Sequence, residues 1–203
     1  MAVTETVAVS ISFVLAVLAL HPEWQEAAHE ELRHVFGEGD DYLRAVSLAD
    51  LHSLRVLENI IKTLRLYPTV PVISRVASED LQLPRGQVLV PKGTVVLLVP
   101  GITQRVPQFH PDPLRFDPSR FSDGRTGKEH ACSYLPFGVG ARRCVGTQYA
   151  RLQLKVFLAE ILRRFRFLAH SRWKDLEDAL VATSLHTIEP VRVSCVPLHP
   201  SST

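Results

Sequence analysis

Cysteine is scarce in this sequence: Cys132, Cys144 and Cys195 are the three in 203 residues. Three scattered thiols make no disulfide framework, which suits a reducing compartment or the cytosolic side of a membrane. An excess of one charge is also missing. With 23 basic and 21 acidic residues and a formal net charge of +2, nothing argues for a nucleic-acid partner. Repeats and low-complexity tracts are absent. Val7 to Leu20 is apolar, but its fourteen residues fall short of the roughly 20 that span a bilayer. No basic region precedes that run, Ser10 and Ser12 interrupt it, and it ends at His21-Pro22 without a small-residue cleavage pattern. A buried core helix is therefore favoured over a signal peptide. These absences predict an intracellular protein with no membrane anchor in this chain. What remains, 46% hydrophobic and 22% charged residues, is an ordinary globular composition, sufficient for one domain with a core.

The stretch on which the sequence turns is Phe137-Gly138-Val139-Gly140-Ala141-Arg142-Arg143-Cys144-Val145-Gly146. It sets one cysteine after a glycine-rich loop and before an amphipathic segment. From Ala150 onward Leu154, Phe157, Leu158, Ile161, Leu162 and Phe165 recur at helical spacing, with Arg151, Lys155, Arg163 and Arg164 on the other side. A metal-bound thiolate needs backbone N–H donors, a helix N-terminus and shelter from water. Gly138, Gly140 and Gly146 allow tight turns and close approach of a flat macrocycle. Phe137 can cover the sulfur, and Arg142 can reach a carboxylate on the macrocycle's rim. The reading is that Cys144 ligates haem iron; the plainer alternative is a buried structural cysteine at a loop–helix junction. Cys132 and Cys195 have no such context and read as ordinary thiols.

This stretch resembles the cysteine-ligand loop of the cytochrome P450 (haem-thiolate monooxygenase) family, F-x-x-G-x-R-x-C-x-G, with every fixed position filled. The resemblance extends over roughly residues 2 to 195 and covers the carboxyl-terminal half of a family member. It implies a mainly α fold with a small β-sheet, truncated on the amino-terminal side. The parts would be a distal helix over 2–20, a Glu-x-x-Arg-type helix over 47–67 and a small sheet over 70–99. A meander over 103–121, the cysteine loop over 134–146 and a proximal helix over 147–165 would follow. Haem b would lie between the first helix and the Cys144 loop. Ala2-Val3-Thr4-Glu5-Thr6 aligns with the family's A-G-x-[D/E]-T, so Glu5 and Thr6 would handle protons at iron-bound dioxygen. Val3 stands where the family has glycine, and an acid in a first helical turn also has a purely structural use.

A second departure lies in the Glu-x-x-Arg-type helix. Arg65 and Arg120 match family arginines, while Lys62 occupies the glutamate's place by substitution or by a one-residue deletion. Lys62, Arg65 and Arg120 would then be three cations in one buried site, costing on the order of 3 to 5 kcal/mol for a buried unpaired charge. Glu58, seven residues from Arg65, would be about 10 Å away along a helix. Alternatively Lys62 turns to solvent and another acid, such as Asp117, serves.

Elsewhere the local signals are clear. Pro22 opens a helix that Gly37 stops, Glu38 to Asp41 reads as a solvated loop, and Ser47 with Asp50 forms a capping arrangement. Strands are expected at Val70–Val76, Leu81–Leu83, Val88–Val90 and Thr94–Val99, with turns at Pro84-Arg85-Gly86 and Pro91-Lys92-Gly93. By resemblance Arg75 contacts a haem propionate, Val70, Val72 and Ile73 line the substrate side, and Gln104 replaces a histidine that helps hold a propionate. An exposed strand arginine is the alternative for Arg75. His186 to Pro197 reads as a terminal strand pair. The resemblance implies a monooxygenase acting on a small apolar organic substrate. An NADPH-linked or ferredoxin-type reductase would dock near a basic proximal face that includes Arg143 and Lys155. Its alternatives are a truncated, non-catalytic relative that binds haem weakly or not at all, and an isomerase or peroxide-using enzyme.

Overall fold

The computed structural model describes residues 2–84, 88–122, 130, 132–170, 179–181, 185–187 and 190–198. The turn expected at 84–86 therefore lies largely outside the described residues. The first helix, α1, runs Ala2–Leu20, and α2 runs Pro22–Phe36 with proline in its first turn. The two axes bend by 111° because Pro22 cannot continue α1 but suits the start of α2. Among the described residues no single helix is long and apolar enough to cross a membrane. Val14, Val17 and Leu18 of α1 are buried, as a core helix requires. Gly37, at φ 78°, ends α2.

Buried Gln25 of α2 fixes this corner. Its Nε2 donates to the Leu18 and Phe167 carbonyls at 3.1 and 2.9 Å, and its Oε1 accepts from Phe167 N at 2.7 Å. Glu38–Asp41, expected as a plain loop, overlaps a 3-10 turn over Gly39–Leu43.

The helix expected over 47–67 is broken. Ser47 and Asp50 form a reciprocal capping box opening α3, Leu48–Ser53. The chain then leaves helical geometry at Leu54 and resumes as α4, Arg55–Lys62. A break leaves new backbone donors unsatisfied, and the Glu31 carboxylate of α2 accepts two of them, from Val56 N at 2.6 Å and Leu57 N at 2.9 Å. After Lys62 the chain tightens into a 3-10 turn over Thr63–Arg65.

The expected small sheet is two ribbons. Strand β1, Ile73–Val76, pairs antiparallel with β4, Val95–Leu98, while β2, Leu81–Gln82, pairs with β3, Leu89–Val90. Gly93, at φ 85°, supplies the left-handed position in the turn before β4. A short helix, α5, Pro100–Thr103, and a 3-10 turn over Pro118–Phe121 lie in the meander.

The last long helix, α6, runs Thr147–Leu162 and ends short of the expected residue 165, since Phe165–Ala169 forms β5. Its partner is β8, Val193–Pro197; β6, Ala179–Val181, pairs instead with β7, Leu185–Thr187. The expected terminal pair over 186–197 is thus divided between two ribbons. Leu154, Leu158 and Leu162 of α6 are buried, but Phe157 is 44% exposed and Arg163, expected on the polar side, is completely buried. The reason is local chemistry. Arg163 donates to the carbonyls of Tyr42 at 2.5 Å and Arg44 at 3.0 Å, pairs with Glu160 at 2.5 Å, and lies over the Phe36 ring.

Buried and paired titratable groups make the fold acid-sensitive in two windows. His29 is completely buried, and burial, reinforced by Arg166, pushes its pKa below 6.5. The unfolded chain then takes up a proton that the native state resists, so stability falls as pH drops below about 6.5. Glu26 is held at about 2 by hydrogen bonds from Arg33 and Arg166. For Glu58 burial acts upward, but Lys155 and Lys62 prevail and hold it at about 2. Both acids contribute stability above their unfolded pKa of about 4.5, lost as pH falls toward 2. Urea midpoints measured from pH 8 to 3 should decline in these two steps, and His29→Phe should flatten the first.

Candidate functional site: the cysteine loop

The cysteine loop is closed by its own backbone. Leu135 O accepts from Gly138 N at 3.2 Å, and Phe137 O accepts from Cys144 N at 3.0 Å, bringing the ends of the glycine stretch together. Gly138 and Gly140 have φ of 70° and 77°, a region that side-chain-bearing residues avoid. A 3-10 turn over Gly140–Arg142 delivers Arg143 and Cys144. Gly146 precedes α6, and the Thr147 hydroxyl donates back to Cys144 O at 2.7 Å. A Cβ at Gly146 would lie 3.8 Å from Cys144 Sγ, so the sulfur sits against the start of α6.

Cys144 is exposed rather than buried. Arg142 and Arg143 are exposed beside it, and so are Val139 and Val145. Among the described residues nothing lies within 4 Å of a Cβ built on Gly140, and Ile73 Cδ1, at 3.8 Å, approaches one on Gly138. One accessible sulfur in an open, apolar and glycine-lined cradle fits haem with a single protein ligand. Among the described residues no cluster of three or more His, Cys, Asp or Glu offers a metal site.

Strand β1 joins this loop to the first helix. Ile73 meets the loop at Gly138, and Arg75, two residues on, shares its strand face. Arg75 is exposed, with its guanidinium donating to Ser74 O at 2.8 Å. Upstream, Thr69 Oγ1 is 2.6 Å from Ser10 Oγ of α1, and Ser10 also donates to Thr6 O at 2.8 Å. Segment 69–73 thus touches α1 one turn beyond Thr6 and the cysteine loop at its other end. Glu5 is exposed and Thr6 half-buried in the first turns of α1.

The expected cluster of three cations does not form. Arg65 is buried, donating to Gln104 O at 2.5 Å and Pro113 O at 2.8 Å. Arg120 donates to the neighbouring carbonyls of Pro111 and Asp112. The two arginines converge on residues 111–113, where backbone oxygens receive their charge. Lys62 instead pairs with Glu58 one turn back, at 3.1 Å. Glu58 was expected to be out of reach of Arg65; what it receives is Lys62, together with Lys155 of α6 at 2.9 Å. Asp117 caps the turn at Ser119, accepting from its N–H at 3.0 Å.

Lys155, expected on the docking face, is paired within the fold. Its side chain is 12% exposed, and its ammonium pairs with Glu58 and donates to Leu51 O, clamping α6 to α3 and α4. Glu58→Gln would leave two partly buried ammonium groups facing an amide. The expected loss is about 2 kcal/mol of unfolding free energy, below the full penalty of a wholly buried pair because of residual solvent access. Urea denaturation at pH 7 checks it.

The sequence singled out Gln104 only as a lost propionate partner. It is buried between two elements: Nε2 donates to Arg65 O at 3.3 Å, and Oε1 accepts from Leu135 N at 3.0 Å. Buried His110 lies 3.1 Å from Ser133 O through Nε2. No sequence periodicity marks these long-range contacts. Their only trace was polarity within a proline-rich stretch.

Comparison with known proteins agrees with this geometry. The cytochrome P450 family model matches residues 1–190. Cytochrome P450 4g1 of Drosophila melanogaster is 37% identical over 186 residues, 91% of this chain and 33% of its own length. Human cytochrome P450 4V2 is 37% identical over 173 residues, 85% of this chain and 32% of its own. The mouse protein of the same name is 39% identical over 162 residues, 79% and 30% respectively. This chain thus spans about a third of the length of the curated relatives it matches. The cysteine loop, its helix and the similarity over nearly the whole sequence show that the chain belongs to the cytochrome P450 family.

Proposed function

We propose that this chain is the haem-thiolate part of a monooxygenase, in which Cys144 Sγ would hold the iron of haem b. The observation that supports this most is the exposed Cys144 sulfur at the start of α6, within a loop whose glycines leave room for a macrocycle. Haem held there supplies activation of dioxygen and insertion of one oxygen atom into an organic substrate. The chain's own residues do the rest. Gly138, Gly140 and Gly146 would permit close approach, and Phe137 would cover the sulfur side of the loop. Arg142 and Arg75 donate to the propionates as charge-assisted partners. Val70, Val72 and Ile73 give an apolar wall that selects a small apolar substrate. The Glu5 carboxylate and Thr6 hydroxyl hold and pass protons on the α1 side. Electrons come from an NADPH-linked or ferredoxin-type reductase that docks on the exposed Arg143 side.

A second reading is a non-catalytic relative with weak or no haem binding. One measurement separates them. The chain is expressed with haem, and the absorption spectrum of its reduced, carbon monoxide-bound form is recorded. A red-shifted, thiolate-type band is expected; behaviour like that of free haem would establish the second reading.

A further inference from the structure

The loop that presents Cys144 is held from outside at two points, and both holding groups come from the proline-rich meander. Gln104 and His110 are each about 1% exposed, and burying polar groups that deeply demands partners for them. Gln104 Oε1 takes Leu135 N–H, and His110 Nε2 meets Ser133 O, so two consecutive turns of backbone before the loop are gripped two residues apart. Since a carbonyl only accepts, Nε2 must carry the proton of the His110 ring.

The grip continues inward and outward. Inward, Leu135 O receives Gly138 N–H, and Phe137 O receives Cys144 N–H. Outward, Gln104 meets Arg65 twice, accepting from its guanidinium through the backbone carbonyl and donating through Nε2 to its carbonyl. Hydrogen bonds therefore link Arg65 to Gln104, Gln104 to Leu135 and Leu135 to Gly138, and the residue before Gly138, Phe137, accepts the Cys144 N–H.

We propose that Gln104 and His110 are positioning residues that form a two-point clamp on Ser133–Leu135 and so set the geometry of the Cys144 loop. In this chain the seating of Arg65 reaches the loop through the Gln104 amide. The clamp's relevance to haem rests on the proposed ligation by Cys144, but the clamp itself is a property of the polypeptide alone.

The test uses the whole chain and three variants. Gln104→Met keeps the shape and removes both side-chain hydrogen bonds; Gln104→Glu keeps an acceptor for Leu135; His110→Phe removes the second point. Amide hydrogen exchange is followed by mass spectrometry without haem. Gln104→Met should exchange Leu135, Gly138 and Cys144 about tenfold faster while α1 and α6 keep their protection. Gln104→Glu should restore most of the Leu135 protection, and His110→Phe should loosen the same residues. After addition of haemin, reduction and carbon monoxide, Gln104→Met should also lose thiolate-type absorption in favour of a thiol-type band. Unchanged exchange in Gln104→Met and His110→Phe, or uniform loosening of the whole chain by both, would overturn the clamp. If the parent chain shows protected loop amides but no thiolate band, the haem reading fails and the clamp stands.

Discussion

Cys144→Ser is expected to eliminate the thiolate-type absorption of the reduced, carbon monoxide-bound protein while leaving the polypeptide as stable as before. An alcohol oxygen is far less acidic than a thiol and does not donate electron density to iron as a thiolate does, so the red-shifted band has no source in the variant. Stability should barely move. Cys144 is exposed, and its contributions to the loop come from the backbone: its N–H bonds Phe137 O and its carbonyl receives the Thr147 hydroxyl. Serine retains both, so the change in unfolding free energy should stay within about 0.5 kcal/mol. Spectrum and denaturation curve recorded on one sample check the pair of outcomes. A variant that keeps the band would remove Cys144 as the ligand, and one that unfolds would make this a structural cysteine after all.

The largest loss of stability is expected from Arg65→Met. This side chain is 2% exposed and supplies donors to Gln104 O and Pro113 O. Methionine fills similar space but leaves both carbonyls without that partner, at about 1–3 kcal/mol each where water cannot replace it. A total of about 3 kcal/mol or more is a large fraction of the usual 5–15 kcal/mol. Lys62→Met gives the informative contrast. If Lys62 shared a buried site with Arg65 and Arg120, its removal would stabilise the protein by several kcal/mol. With Lys62 paired to Glu58, and both side chains a fifth or more exposed, its removal should cost about 1 kcal/mol or less. Thermal and urea unfolding of the two variants side by side distinguish these cases.

Local chemistry explains why some of this was legible. Pro22, Gly37, the Ser47–Asp50 box and Gly93 each act within a turn of their own position, and each appears where its residue type requires. The cysteine loop was legible for the same reason, because positive φ at Gly138 and Gly140 is a demand written in the residue itself. The break at Leu54 was not. An apolar spacing that continues across it says helix, and only Glu31, from another helix, makes the interruption acceptable.

The sequence by itself determined the glycine-rich loop around Cys144, the helix that follows it, and the family, since these depend on residue types at fixed short spacings. Only the tertiary structure decided where the charges went. Lys62 and Lys155 share Glu58, Arg163 is buried on the carbonyls of Tyr42 and Arg44, and Arg65 reaches the loop's neighbourhood through Gln104. Long flexible side chains choose partners by distance in space, and a backbone carbonyl that can receive a guanidinium has no signature in the sequence.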